Sequence, residues 1–302
     1  MNLQDENREG YLIPASMKKV WNIQLEMVKL LLDICNRNKL NIWADSGTLL
    51  GTVRNKGYIP WDDDIDMIML RSDYDKLLEI ADKEFPSPYF LQSAKNEAGY
   101  FRGHAQLRKS DTAAILKRDI WQNFNQGIFV DIFVYDYIPS SVQAKSEIGR
   151  KVTKMQRAMN ARMYGSLLSK NPLLHLMSKR ILKKHGGCYQ YFKSVESLIK
   201  GCSNKSESLI GAIMFKSNCK IVRKEWYNNT IYLPFEDIMM PVPMEYDKVL
   251  TVLYGDYMTP AQAPTEHGSV IFDTDHSYLD VIDRIRSKSS IYHKLKQLFS
   301  IK

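Results

Sequence analysis

Four aspartates, Asp62, Asp63, Asp64 and Asp66, fall within five positions and run directly into the apolar stretch Met67-Ile68-Met69-Leu70. Like charges this close repel one another. Beside a folded core they cost free energy unless a cation sits among them. The alternation predicts a strand over Asp64–Leu70, with Asp64, Asp66, Ile68 and Leu70 on one face and Ile65, Met67 and Met69 on the other. Carboxylates two residues apart on one strand point the same way, so they can bind one divalent cation or two close together. Oxygen-only ligands suit Mg2+ or Mn2+. A third carboxylate is available in Asp131, a lone charge inside the apolar run Gly127–Tyr135 that must find a partner. Asp64, Asp66 and Asp131 together are the set expected for metal-assisted phosphoryl or nucleotidyl transfer.

The residues just upstream suit a phosphate. Ser46-Gly47-Thr48 opens a short helical pattern running to Val53, and a small-residue turn at a helix N-terminus offers backbone N–H groups to an anion. Arg54, Lys56 and Arg108 are candidates to neutralise more of its charge, although each also reads as an ordinary solvated cation. An EF-hand loop is excluded, because Ile68 stands at a ligand position and no glycine follows at the sixth place. Three alternatives stay open on the residues alone: a glycosyltransferase Asp-x-Asp, a non-catalytic module that binds a polyanion, and an acidic loop that is simply solvated.

The elements that must position these groups follow from periodicity. Trp21, Leu25, Val28, Leu32 and Cys35 give residues 16–39 one helical face, with Ser16 as N-cap. A short strand is expected over Asn41–Ala44, a helix capped by Ser72 over Ser72–Ala81, and a weak strand over Phe101–Leu107. The strongest strand pattern is Gly127–Tyr135. Pro139-Ser140-Ser141 closes that segment. Helical patterns follow, with a stripe of Val152, Met155, Met159 and Met163, then Leu173–Lys184, Phe192–Ile199 and Ser206–Met214. Residues 230–247 read as irregular strand and turn with three prolines, followed by a short helix over Asp247–Leu253. The expected division is a catalytic core over 1–147 and a mainly helical basic region over 148–302 that completes the active site and the acceptor surface.

Charge separates the same two parts. Of 42 Lys+Arg and 34 Asp+Glu, residues 1–147 hold 18 and 21, leaving a balance of −3 there and +11 in the rest. From Ile148 to Val195 no acidic residue occurs, whereas Arg150, Lys151, Lys154, Arg157, Arg162, Lys170, Lys179, Arg180, Lys183 and Lys184 do. With interleaved Met and Leu, residues 148–195 are a candidate for peripheral contact with an anionic membrane or for holding a polyanionic or lipid-linked glycan. Aromatic interleaving is too thin there to suggest nucleic acid. Four irregularly spaced cysteines, Cys35, Cys188, Cys202 and Cys219, suit a reducing, cytoplasmic setting, and with His185 they are too loosely spaced for a zinc set. The N-terminus does not read as a signal peptide, and no apolar run is long enough to span a bilayer.

Gly47-Thr48-Leu49-Leu50-Gly51, Arg54, Ile59-Pro60-Trp61-Asp62-Asp63-Asp64-Ile65-Asp66, Asp131-Ile132-Phe133 and Tyr254-Gly255-Asp256-Tyr257-Met258, in this order, resemble the signature of the LicD family. The resemblance covers roughly residues 20–260. It implies an α+β fold of the nucleotidyltransferase superfamily, related to the fukutin proteins: a small mixed sheet flanked by helices. It implies transfer of phosphocholine, or a similar substituted phosphate, from a CDP-activated donor to a hydroxyl of a cell-surface or lipid-linked glycan. The superfamily's turn and Asp-x-Asp map onto Gly47-Thr48 and Asp64-Ile65-Asp66, with Thr48 in place of the usual serine, and its third carboxylate maps onto Asp131. A choline head would call for an aromatic surface, for which Tyr58, Trp61 and Tyr135 are the nearest candidates in sequence, each also readable as core. His267 and His276 are further candidates to reach the site.

Overall fold

The computed structural model describes residues 1–168, 172–202, 208–259 and 270–288, of which 165–168 and 172–175 only as backbone. The chain opens with a hairpin of β1 (Glu6–Arg8) and β2 (Tyr11–Ile13), and then helix α1 (Ala15–Arg37). Pro14 caps that helix, so Ser16 lies inside its first turn rather than before it. A proline with fixed φ and no N–H loses nothing at a helix start. The buried face of α1 includes the expected Trp21, Leu25, Val28 and Cys35, and also Gln24, whose amide has a use described below.

Next come β3 (Trp43–Ala44), α2 (Ser46–Arg54), β4 (Asp66–Leu70), α3 (Arg71–Glu84), β5 (Tyr89–Gln92), β6 (Ala105–Lys109), β7 (Ala113–Leu116) and β8 (Ile128–Tyr137). The long strand β8 is the hub of the main sheet. Its first half pairs antiparallel with β6, and Asp131–Tyr135 pairs parallel with β4. β4 is buried at Met67, Ile68 and Met69, so apolar residues of both faces enter the core. β3 pairs antiparallel with β4 on its far side.

Three helices follow, α4 (Val142–Leu168), α5 (Pro172–Lys184) and α6 (Cys188–Cys202). They share a cluster of their own with Ile148, Val152, Met155, Met159, Tyr191, Val195 and Ile199 at its centre. Arg71 ties α6 to the sheet: its guanidinium donates to both oxygens of the fully buried Asp136 at 2.8 and 2.7 Å and to Glu196 at 2.9 Å. A forked donor on a planar acceptor is the geometry in which a buried ion pair holds.

The chain then returns to the sheet. β9 (Leu209–Gly211) pairs with β8 at Asp136 and Tyr137, and β10 (Val222–Arg223) pairs with β9. This corrects the helix expected over Ser206–Met214, of which 208–214 is described. A short apolar run carries no decisive period, and the free backbone of the β8 end selects a strand. Residues 230–243 form a regular hairpin of β11 (Thr230–Phe235) and β12 (Ile238–Pro243), with its prolines confined to a two-stranded edge. Trp43 Nε1 donates to Thr230 Oγ1 at 2.8 Å and joins this hairpin to the sheet. Helix α7 (Tyr246–Tyr254) buries Val249 and Leu250 in the main core, β13 (Val270–Asp273) pairs with β7, and α8 (Tyr278–Ser287) closes the described chain. The fold is α+β, with a mixed sheet flanked by helices. No described helix is long and apolar enough to cross a membrane.

Candidate active site

The aspartate run lies mostly in a loop, and α1 holds that loop by its backbone. Trp21 Nε1 donates to the Asp62 carbonyl at 3.1 Å, and Gln24 Nε2 to the Asp63 carbonyl at 2.9 Å. Tyr58 supports both donors: its ring stacks on Trp21 at 4.3 Å, and its hydroxyl donates to Gln24 Oε1 at 3.0 Å. Asp64 therefore precedes the strand, which begins at Asp66 rather than Asp64.

Asp66 and Asp131 are register partners on the parallel strands β4 and β8, and the Asp131 N–H donates to the Ile65 carbonyl at 2.8 Å. Asp64, Asp66 and Asp131 each bring a carboxylate oxygen within 4.8 Å of the others; Asp62, Asp63 and Asp64 form a second such group. Burial drives the Asp64 carboxyl well above its ordinary pKa, reinforced by the charges of Asp66, Asp62 and Asp131. An oxygen-only donor set whose members oppose one another's ionisation fits a hard divalent cation.

Asp131 is fixed from behind. Gln106 Nε2 donates to Asp131 Oδ1 at 2.5 Å, and Gln106 Oε1 accepts from Arg108 at 2.5 Å. Arg108 is only 2 % exposed and spends its other donors on Gln92 Oε1 at 2.9 Å and the Gly127 carbonyl at 2.8 Å. Its guanidinium also lies 4.9 Å from the centre of the Phe129 ring. The Arg108 contacts thus run through Gln106 to the carboxylate instead of outward. Burial and the nearby Arg102 lower its pKa to about 10, which leaves it a cation at neutral pH. Beside it, the buried His104 has Nε2 3.3 Å from Asp131 Oδ1, with Phe133 and Phe215 against its ring at 4.7 and 5.0 Å.

The glycine turn meets the aspartates directly. A Cβ on Gly47 would stand 2.7 Å from Asp62 Oδ2, so only glycine lets that carboxylate approach the turn. Ser46 adopts φ +47°, and Thr48 Oγ1 accepts the Asp66 N–H at 2.8 Å. Before the turn, Asp45 is buried and accepts from the Tyr135 hydroxyl at 3.2 and 3.1 Å. Burial pushes its pKa up to about 6, with Ser46 and Tyr135 opposing the shift.

The remaining sequence candidates separate. Arg54 donates to Asn55 Oδ1 at 3.1 Å and to the Tyr257 carbonyl at 3.2 Å, which ties the end of α2 to the loop after α7. Lys56 is exposed at φ +55°. Tyr58 and Tyr135 are buried and committed to Gln24 and Asp45, so their rings are core, whereas Trp61 is half-buried against Tyr11. His276 bonds Asp273 at 3.0 Å beside α8, and His267 lies outside the described residues, as does Lys170. Tyr254, quoted above only as the start of the motif Tyr254-Gly255-Asp256-Tyr257-Met258, was not a head-group candidate in sequence. Burial raises its phenol pKa, and Asp45, Asp66, Asp62 and Asp64 add to the rise, while 46 % of the residue stays exposed. Gln24, His104, Gln106 and Asp45 were likewise missed. The signal for Gln106 was the period-two row His104, Gln106, Arg108 alternating with Ala105 and Leu107.

Comparison with known proteins converges on the same segment. Residues 39–158 match the family model described as LicD/FKTN/FKRP, nucleotidyltransferase domain. The chain is 27 % identical over 233 residues to the lipopolysaccharide cholinephosphotransferase LicD of Haemophilus influenzae, covering 74 % of this chain and 84 % of that protein. It is 36 % identical over 80 residues to an uncharacterised protein of Rickettsia prowazekii, covering 26 % of this chain and 29 % of that one.

Proposed function

We propose that the chain is a LicD-type transferase, similar to that family over residues 39–158, and that it transfers phosphocholine, or a similarly substituted phosphate, from a CDP-linked donor to a glycan hydroxyl. The observation that carries the reading is the convergence of Asp64, Asp66 and Asp131 oxygens within 4.8 Å, beside a turn where Gly47 lets the Asp62 carboxylate approach closely. The Haemophilus relative, which spans most of both chains, is named for cholinephosphate transfer to lipopolysaccharide.

Asp64, Asp66 and Asp131 would hold a divalent cation, Mg2+ or Mn2+. When bound, that cation neutralises charge on the donor's phosphates. The chain's own groups do the rest. The N–H groups of the Ser46–Thr48 turn bind a phosphate oxygen at the start of α2. Arg54, held at the far end of α2 by the Tyr257 carbonyl, and the exposed Lys56 are the cations nearest in sequence to that turn. Asp131, fixed by Gln106, receives the proton as the acceptor oxygen forms its bond to the choline-bearing phosphorus and the bond to the CMP oxygen breaks. Arg108 acts as a positioning residue for Gln106 and Asp131, in place of the phosphate contact expected from sequence.

The test is CMP release from CDP-choline with a glycan extract as acceptor, with and without Mg2+ or Mn2+, beside Asp64→Asn. Metal-dependent release that the variant loses supports the reading. Release of a nucleoside diphosphate from a nucleotide-sugar would replace it with a glycosyltransferase.

A further inference from the structure

Away from the carboxylates, α4 and α5 enclose a groove of about 780 Å³. One side is a row of cations from α4, Lys145, Arg150, Lys154 and Arg157, all exposed. The positions 150, 154 and 157 share a helical face. The one acid of this stretch of α4, Glu147, is paired with Lys151 at 2.9 Å, and no acidic residue follows until Glu196. The floor is apolar: Ala158, Ala161, Met177 and Ile181. Of its lining residues, Val142 is 81 % and Met177 50 % exposed.

We propose that this groove seats an anionic lipid of a membrane surface, with phosphate headgroups along the cation row and acyl chain on the floor. Charge complementarity selects an anion. The apolar floor distinguishes a lipid from a soluble polyanion, which gains nothing from Met177 or Val142 in water. Each basic side chain adds to attraction by an anionic leaflet, and the attraction is salt-sensitive. The groove is also coupled to the fold around the carboxylates. Thr153 Oγ1 donates to Ser217 on its wall at 2.9 Å, and Gln156 Nε2 donates to the Phe215 carbonyl at 2.6 Å. The Phe215 ring in turn lies against His104 and Phe133, beside Asp131. A lipid seated there would hold the protein at the membrane whatever donor it uses, so the proposal goes beyond the transfer reaction.

The experiment is co-sedimentation of the full chain with vesicles of phosphatidylcholine alone and with phosphatidylglycerol added. Binding is expected with phosphatidylglycerol, falling as salt rises. The triple variant Arg150→Glu, Lys154→Glu, Arg157→Glu is expected to lose about tenfold or more of it. Circular dichroism and the thermal melt check that variant's fold, and Lys154→Gln with Arg157→Gln serves if it fails. Met177→Asn, which removes apolar surface without adding charge, is expected to weaken vesicle binding and to leave binding of tripolyphosphate unchanged. Equal binding to both vesicle types, or full binding by the folded charge variants, overturns the proposal. Vesicle binding untouched by Met177→Asn but abolished by tripolyphosphate overturns it in favour of a soluble polyanion. CMP release is read separately with a soluble acceptor, so loss of either property leaves the other measurable.

Discussion

The hydroxyl of Thr48 accepts the backbone N–H of Asp66 at 2.8 Å. One bond thereby joins the start of α2, where a phosphate would bind, to the first residue of β4, where a cation would bind. The Asp45 N–H, donating to the Asp66 carbonyl at 3.0 Å, closes the same junction from the other side. The Thr48 hydroxyl is therefore a structural joint. Thr48→Val keeps the shape and leaves the Asp66 N–H without its acceptor. It is expected to cost about 1–3 kcal/mol of stability and to lower CMP release by roughly ten- to a hundredfold through misplacement. Thr48→Ser should retain both properties, as thermal melts and rate measurements on the pair will show.

Arg108 offers a direct contrast between a phosphate contact and a positioning role. Its donors end on Gln92, Gly127 and Gln106, and Gln106 ends on Asp131. An ammonium cannot reach three acceptors set for a planar fork. Arg108→Lys is expected to lower kcat and to raise the Mg2+ concentration needed for half-activity, with donor KM little changed. A raised KM for CDP-choline at unchanged kcat would return Arg108 to the donor.

The mutual repulsion of the carboxylates predicts how metal and stability are linked. Asp64 is raised well above its ordinary pKa by burial and by Asp66, Asp62 and Asp131. Its contribution to stability is present at low pH and is lost as pH rises through the folded-state value. Without divalent ions, Asp64→Asn should melt higher than wild type at pH 8. Adding Mg2+ at a hundred times its Kd should stabilise wild type by roughly 2.7 kcal/mol and the variant far less. Differential scanning fluorimetry with chelator and with Mg2+ reads both effects.

Tyr254 is the aromatic residue we expect to meet a choline head. It is half exposed and feels Asp45, Asp66, Asp62 and Asp64, whereas Tyr58 is stacked in the core on Trp21. A cation over an aromatic face gains roughly 0.5–2 kcal/mol. Tyr254→Leu should raise KM for CDP-choline by a few-fold or more, and Tyr58→Phe should lower the melting temperature without changing donor preference.

The carboxylates and the glycine turn were legible because their chemistry restricts residue type: acids supply the oxygens a cation would need, and a residue without Cβ leaves room for the Asp62 carboxylate at Gly47. The strands β4 and β8 were legible from short-range alternation and apolar runs. What escaped the sequence depends on contacts between distant segments. Gln24 and Asp63 are 39 positions apart, and Gln106 and Asp131 are 25 apart. Nothing local marks a glutamine whose amide is claimed by another element. The β9 strand was misread for a related reason, since its partner is the end of β8, with Tyr137 paired to Ile210 and Asp136 to Gly211 far along the chain. Tyr58 and Tyr135 were nominated by nearness in sequence to aspartates, whereas burial decides what a ring can touch.

Asp45 provides a titration that can be isolated from the cluster. Its pKa rises from 3.8 to about 6 because it is buried. A raised carboxyl favours the folded state at pH below its unfolded value, and that support disappears as pH climbs through the folded value. Between pH 4 and pH 7, wild type should therefore lose about 2 kcal/mol from this group alone. Asp45→Asn keeps a carbonyl acceptor for the Tyr135 hydroxyl and cannot ionise. The stability difference between variant and wild type, from urea melts in chelator at pH 4 to 8, should widen in the variant's favour mainly from pH 4 to 6 and flatten above. A difference that does not change with pH would show that Asp45 already ionises in the folded protein at its ordinary value. The bond to Tyr135 would then outweigh the cost of burial.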